Sequence, residues 1–306
     1  MNLVPCSWVL IYLQILLHSP HLILSFNPST SNCFLSQVEE TVENVLNSNG
    51  NHDILSLPSE NRESVGIARN LNRRLQALRR NNDCPRCWMQ RAHCICQKCP
   101  SLTTDIPGLN RIFLLMHHKE IGMKVDTAKL IMAAFPEKCR LVVSGIGTEY
   151  QKSMKEFMQV IESNTCLVLF PDEEAQALDE FVASPDTINF FDLVVIDGTW
   201  NQARKMHARY IPLATNGGPS RVKLSEEAVS ALEQPQDNSG HQMRRHSISW
   251  RQVGTFEATR LFLKDLHASF PSSAPIPAFE QIHDYQIVAN EAAKIELGPP
   301  RKSSSI

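Results

Sequence analysis

Apolar and polar positions along this chain follow two different periods. Four short runs, 111–116 (RIFLLM), 141–143 (LVV), 167–170 (LVLF) and 190–196 (FFDLVVI), are branched and almost continuously apolar. Such runs suit strands buried on both faces of a sheet. Between and beyond them, apolar residues recur at intervals of three and four. That spacing predicts helices over 65–80, 126–135, 149–162, 173–183, 255–268 and 279–293, with Asp126 and Thr255 as N-caps. Strands alternating with helices imply an α/β fold: a largely parallel sheet with flanking helices. Residues 26–61, rich in Asn, Ser and acids, read as a linker, and the Ser/Pro tracts at 271–277 and 299–305 as linker and tail. The chain thus divides into a leader and acidic linker (1–61), a basic helix and cysteine-rich segment (62–105), an α/β domain (106–295) and a tail (296–306).

The start of the chain carries an apolar run of ten residues over 8–17 (WVLIYLQILL), interrupted only by Gln14. A membrane span needs about 20, so no stable membrane insertion is expected. The run has the length of a signal-peptide core, yet no Lys or Arg precedes it, and an organelle leader would be Arg-rich.

Composition excludes more than it identifies. With 306 residues, 42% hydrophobic and 20% charged, the chain is neither disordered, collagenous nor a coiled coil. Its net charge of −2 hides a split. Residues 1–61 hold five acids and no Lys or Arg, whereas residues 62–99 hold nine basic and two acidic residues. In the 65–80 helix, Val65, Ala68, Leu71, Leu75 and Leu78 form an apolar stripe, and most arginines lie off it. Those arginines form either a solvated face or a surface for an anionic partner.

Five of nine cysteines fall within 84–99. Cys84, Cys87, Cys94 and Cys96 bring four thiolates within reach of one tetrahedral Zn²⁺, and an all-Cys set with no open position is structural rather than catalytic. Cys99 is an alternative to Cys96. Thiolate zinc argues for an intracellular protein of cytoplasm or nucleus, with an organelle as the alternative that the apolar leader raises.

In a parallel sheet, ligands bind beyond the carboxyl ends of the strands. Three segments follow the predicted strands: His117-His118-Lys119-Glu120, Pro171-Asp172-Glu173-Glu174, and Asp197-Gly198-Thr199-Trp200-Asn201-Gln202, which runs on to Arg204 and Lys205. The last is the densest in chemistry. A carboxylate at a strand mouth is costly to desolvate without a use or a partner. Gly198 permits close backbone approach, and Trp200 offers a flat face to a base or a sulfonium. The plainer alternative is that Asp197 caps the next helix and Trp200 packs beneath it. A further segment, His241–His246, carries Arg244 and Arg245, which suit a carboxylate or phosphate or else form a surface patch.

Taken in order, CPRCWMQRAHCIC, MHHKE with DTAKL, LFPDEEA, VVIDGTWNQARKM and QMRR…GTFEA resemble the DTW-domain proteins over roughly residues 80–270. The chain departs from that pattern at Asp172, where Gly is common, and at Gly254-Thr255, where Ser-Thr is common. The resemblance implies a SPOUT-like fold, commonly knotted in its C-terminal part. It also implies a tRNA-uridine aminocarboxypropyltransferase that takes the 3-amino-3-carboxypropyl group from S-adenosylmethionine, with tRNA as partner. In that reading Asp197 takes or orients the N3 proton of the uridine, and Thr199 and Trp200 wall the pocket. Pro171, Gly198, Gln202, Arg204, Arg244, Arg245, Thr255 and Glu257 would line the donor site. A catalytically silent zinc-knuckle RNA-binding adaptor and an RNA methyltransferase using the same donor are the competing classes. Oligomeric state leaves no mark in the sequence.

Overall fold

The predicted apolar runs form four neighbouring strands of a six-stranded, all-parallel sheet. In the computed structural model, which describes residues 34–50, 53–102, 106, 108–182, 190–212, 218–233, 254–269 and 277–297, the strands are β1 (Leu109–Met116), β2 (Cys139–Val143), β3 (Cys166–Leu169), β4 (Gln176–Ala177), β5 (Phe191–Asp197) and β6 (Ser220–Lys223). Their order across the sheet is β2-β1-β5-β3-β6-β4. Every residue of β5 is buried, because it lies in the middle with helices over both faces. In register, Met116 pairs with Asp197 and Leu169 with Val195.

Strand parity splits the core in two. Leu114, Met116, Leu193 and Val195 point to one face, together with Phe256 and Phe262 of α8 (Thr255–Ala268). Phe113, Leu115, Val194 and Ile196 point to the other, against Phe157 of α4 (Lys152–Val160) and Met206 of α6 (Trp200–Tyr210).

The expected linker contains a helix. Helix α1 (Phe34–Asn49) buries Leu35, Val38, Val42 and Val45, a stripe at intervals of three and four that the surrounding acids and asparagines obscure. It packs on α2 (Ser59–Arg80), and Asn44 and Asn49 hydrogen-bond Tyr150 beyond the β2 edge. Over 173–183, where one helix is expected, the chain forms β4 and the short α5 (Leu178–Val182). Helix α3 (Lys129–Ala134) is shorter than predicted, although the Asp126 carboxylate does accept from the amides of Ala128 and Lys129. Helices α7 (Glu226–Glu233) and α9 (Pro277–Leu297) complete the described elements. No described helix is long and apolar enough to cross a membrane.

Candidate active site and metal centre

The cysteine segment folds back on itself directly after α2. The Cys84 amide donates to the Met89 carbonyl and the Trp88 amide to the Cys84 carbonyl, at 2.7 and 2.8 Å. Trp88 takes φ +60°, a left-handed turn that closes the knuckle. The Sγ atoms of Cys84, Cys87, Cys94 and Cys96 all lie within 4.8 Å of one another, with Cys84–Cys96 at 3.6 Å and Cys87–Cys94 at 3.7 Å. Four sulfurs about 2.3 Å from a tetrahedral Zn²⁺ are about 3.8 Å apart. The donor set and its spacing fit that ion. Cys99 is outside the quartet: it is buried, and burial pushes its thiol up to about 12. Crowding sets the quartet's own acidity, since the neighbouring Cys87 and Cys96 thiols hold Cys84 far below an ordinary thiol. The same contacts push Cys87 and Cys96 up. A divalent cation removes that conflict by stabilising all four as thiolates.

Helix α6 begins one residue past the Asp197-Gly198 turn. Thr199 is its N-cap in a full capping box: its hydroxyl accepts from the Gln202 amide, and the Gln202 side chain accepts from the Thr199 amide at 2.8 Å. Thr199, not Asp197, therefore caps the helix. The Asp197 side chain is 5% exposed and shares the sheet face of Leu193 and Val195, toward α8. Trp200 is half-buried on the other face, 6.0 Å from the Phe170 ring. Gly198 is hemmed in by the protein itself, since a Cβ there would meet Gln202 at 3.1 Å and His117 at 3.3 Å. Packing alone therefore favours glycine there.

The exits of β1 and β5 are joined, with the His117 amide donating to the Asp197 carbonyl at 2.9 Å. Beyond them lies a cleft of about 300 Å³ between α2 and α6, with His117, His118, Gly145, Gln202 and Lys205 among its walls. Asp197, facing the other way, is not among them. A second hollow of about 240 Å³ lies on the α8–α9 side, with Asp126, Thr127 and Asn290 in its lining.

His117 accepts from the Lys119 amide on Nδ1 and stacks on His118 at 4.3 Å. Burial, together with the charges of His118, Lys119 and Arg74, holds His117 down at about 4. The unfolded chain takes up this proton near pH 6.5, whereas the folded chain resists it until about pH 4. The stability contributed by a neutral His117 is therefore complete above pH 6.5 and is lost as the pH falls toward 4. His117→Gln is expected to flatten the fall in the urea midpoint across that window, and an unchanged fall would remove His117 as its cause.

The other expected site residues separate. Pro171 is exposed after β3, and its neighbour Asp172 accepts from Arg221 at 3.1 Å and lies 3.1 Å from His207. That link ties β6 to α6 and accounts for an acid where the family pattern commonly has Gly. Arg204 is exposed and hydrogen-bonded to Asn201. Gly254, not Thr255, is the N-cap residue of α8, and Glu257 is committed to a buried bidentate pair with Arg260 at 2.7 and 3.0 Å. Arg244 and Arg245 lie outside the described residues. On α2, Arg74 donates to the carbonyls of Lys119 and Ile121, and Arg79 pairs with Glu39 at 2.8 Å. Arg74 therefore holds the β1 exit loop, leaving Arg73 and Arg80 on the outer surface. The Glu63–Arg209 pair, 2.7 and 2.9 Å across the cleft, joins residues 146 apart and has no local signature.

The comparisons with known proteins converge. The DTW domain family model matches residues 81–288. A Macaca fascicularis tRNA-uridine aminocarboxypropyltransferase 2 is 27% identical over 175 residues, covering 52% of this chain and 56% of its own. The Mus musculus protein of that name is 28% identical over 131 residues, 41% of each chain. Its Drosophila melanogaster namesake is 27% identical over 130 residues, 42% of this chain and 49% of its own. The chain thus spans about half the length of the curated relatives it matches. No solved structure matches. The family match covers well over half of the residues and takes in both the cysteine quartet and the Asp197–Trp200 turn: the chain belongs to the DTW-domain family.

Proposed function

We propose that this chain modifies tRNA, transferring the 3-amino-3-carboxypropyl group of S-adenosylmethionine to N3 of a uridine. The observation that carries the reading is the placement of the buried Asp197 carboxyl at the exit of the central strand, directly before the turn into α6. A sulfonium is already a good leaving group, so the protein's tasks are aim and deprotonation. Asp197 accepts the N3 proton while the nitrogen lone pair forms the bond to the γ-carbon. The carbon–sulfur bond breaks and 5′-methylthioadenosine leaves as a neutral thioether. Trp200 and Arg204 on α6, and Arg244 and Arg245, remain proposed contacts for the donor or for a tRNA phosphate.

The relatives named as tRNA-uridine aminocarboxypropyltransferase 2 support the substrate class. The uridine must leave its stack to expose N3. The cysteine quartet, proposed to hold structural Zn²⁺, presents a segment whose exposed Arg73, Arg80, Arg86 and Arg91 suit a phosphate backbone. Such a substrate fits a protein of the cytoplasm or nucleus, or of an organelle that holds tRNA.

Incubation with tRNA and donor, followed by mass analysis of nucleosides, tests the reading. A uridine carrying the aminocarboxypropyl mass is expected. A methyl mass would make the protein a methyltransferase, and tRNA binding with no mass change would make it an adaptor.

A further inference from the structure

We propose that the cleft between α2 and α6, floored by the stacked His117 and His118 rings and edged by Lys119 and Lys205, binds a second unstacked nucleotide of the same RNA strand. That nucleotide would neighbour the one presented to Asp197. The proposal rests on RNA being the substrate, but not on which group is transferred.

The cleft's chemistry divides between a planar floor and a charged rim. The two imidazoles lie 4.3 Å apart at 29° and are half-buried. Burial holds both below their ordinary range, His117 at about 4, so at neutral pH the floor is uncharged. Neutral imidazoles offer π-faces, and the purines and pyrimidines of unpaired RNA stack on such side chains. Arg209 neutralises Glu63 through its bidentate contact. Lys119 and Lys205 are exposed and enter no ion pair among the described residues, which leaves two cations for a phosphate diester. At about 300 Å³ the cleft has the scale of a small-ligand site, too small for a duplex segment.

The walls are preformed. Gly145 takes φ +85° with Ile67 crowding the place of a Cβ at 2.4 Å, and its amide donates to the Tyr210 hydroxyl at 2.7 Å. Arg74 pins the Lys119 loop from α2. The two proposed subsites stand back to back: β1 ends at the histidine floor, β5 ends at Asp197, and the His117–Asp197 backbone bond joins them. A single strand laid across that edge meets both, with one base turned to each side.

The test uses the full chain and a tRNA transcript substituted with 4-thiouridine. Photocrosslinking is expected to mark peptides containing residues 117–120 or 202–206. The double variant Lys119→Ala/Lys205→Ala changes two exposed side chains and leaves the fold intact. It is expected to lose that crosslink, bind tRNA about tenfold more weakly, and reduce the salt dependence of binding by about two phosphate contacts. Calorimetric binding of S-adenosylmethionine should be unchanged. Wild-type tRNA affinity in the double variant, no crosslink in either segment, or no tRNA binding by the wild-type chain overturns the proposal. UMP or AMP binding that depends on both lysines while tRNA affinity does not would assign the cleft to a free nucleotide, and also overturns it. A crosslinked cleft with no modified uridine keeps this proposal and removes the transfer reaction. Product formed equally well by the double variant, at unchanged affinity, does the reverse.

Discussion

Asp197→Ala is expected to lower formation of the modified uridine by about 10²- to 10⁴-fold, the usual contribution of a positioned general base. The loss should fall on the rate of the bound complex, because Asp197 is 5% exposed at the end of a buried strand and offers little surface to the tRNA as a whole. Affinity for tRNA, set by phosphates, should therefore stay within a factor of a few. Asp197→Asn separates two roles. The amide keeps the volume and a hydrogen-bonding oxygen but cannot take a proton, so a base is lost entirely, whereas a group that merely aligns N3 is retained in part. An Asn variant as slow as the Ala variant assigns proton transfer, and one close to wild type assigns alignment. Far-ultraviolet circular dichroism and metal content should match the wild type in both, since the helix that follows is capped by Thr199 and Gln202. Ala and Asn variants that both turn over at the wild-type rate would take Asp197 out of the reaction.

What the sequence made legible follows from how local each signal is. Continuous apolar runs such as LVLF and FFDLVVI mark buried parallel strands, and four of the six strands are found that way. Strand β6 is hidden because it buries only one apolar residue, Val222, and its other buried position is an arginine: Arg221 is 8% exposed and is held by Asp172, Glu174 and the Pro212 carbonyl. Partners 47 and 49 residues away make a polar residue fit an apolar place, and no window of sequence shows that. Helix α1 fails for a different reason, since its exposed face sets the composition while Leu35, Val38, Val42 and Val45 do the packing.

The site divides along the same line. The cysteine quartet is legible from spacing, but the choice of Cys96 over Cys99 needs the folded geometry, in which the Cys96 sulfur lies 3.6 Å from that of Cys84 and Cys99 is buried outside the quartet. His117 and Asp197 are both legible as residues just past strands. That they face opposite sides follows from register: Met116 pairs with Asp197, which places His117 one step out of phase with it. The cleft proposed for the second nucleotide depends on that half-turn.

The second large effect concerns the metal. Cys84→Ser is expected to abolish stoichiometric zinc and to lower the thermal midpoint by well over 10 °C, because zinc contributes about 10–16 kcal/mol to the folding of small zinc modules and each kcal/mol is worth about 2–4 °C in a chain this large. The knuckle is built into the main core. Trp88 and Met89 are fully buried, the Lys129 ammonium sits 5.4 Å from the Trp88 ring, and the Gln90 amide donates to Glu296 of α9 at 3.0 Å. The Tyr285 hydroxyl donates to the Pro100 carbonyl, and Lys124 bridges Glu296 and Asp83. Loss of the ion should therefore loosen α9 and expose Trp88, seen as a red shift in tryptophan fluorescence, while the sheet and its other helices keep most of the circular dichroism signal. The basic face of α2 runs directly into the quartet, so tRNA affinity should fall with the metal and return with added Zn²⁺ in a chelated wild-type sample, but not in Cys84→Ser. A Cys84→Ser protein with full zinc content and an unshifted midpoint would mean that the ion is held elsewhere.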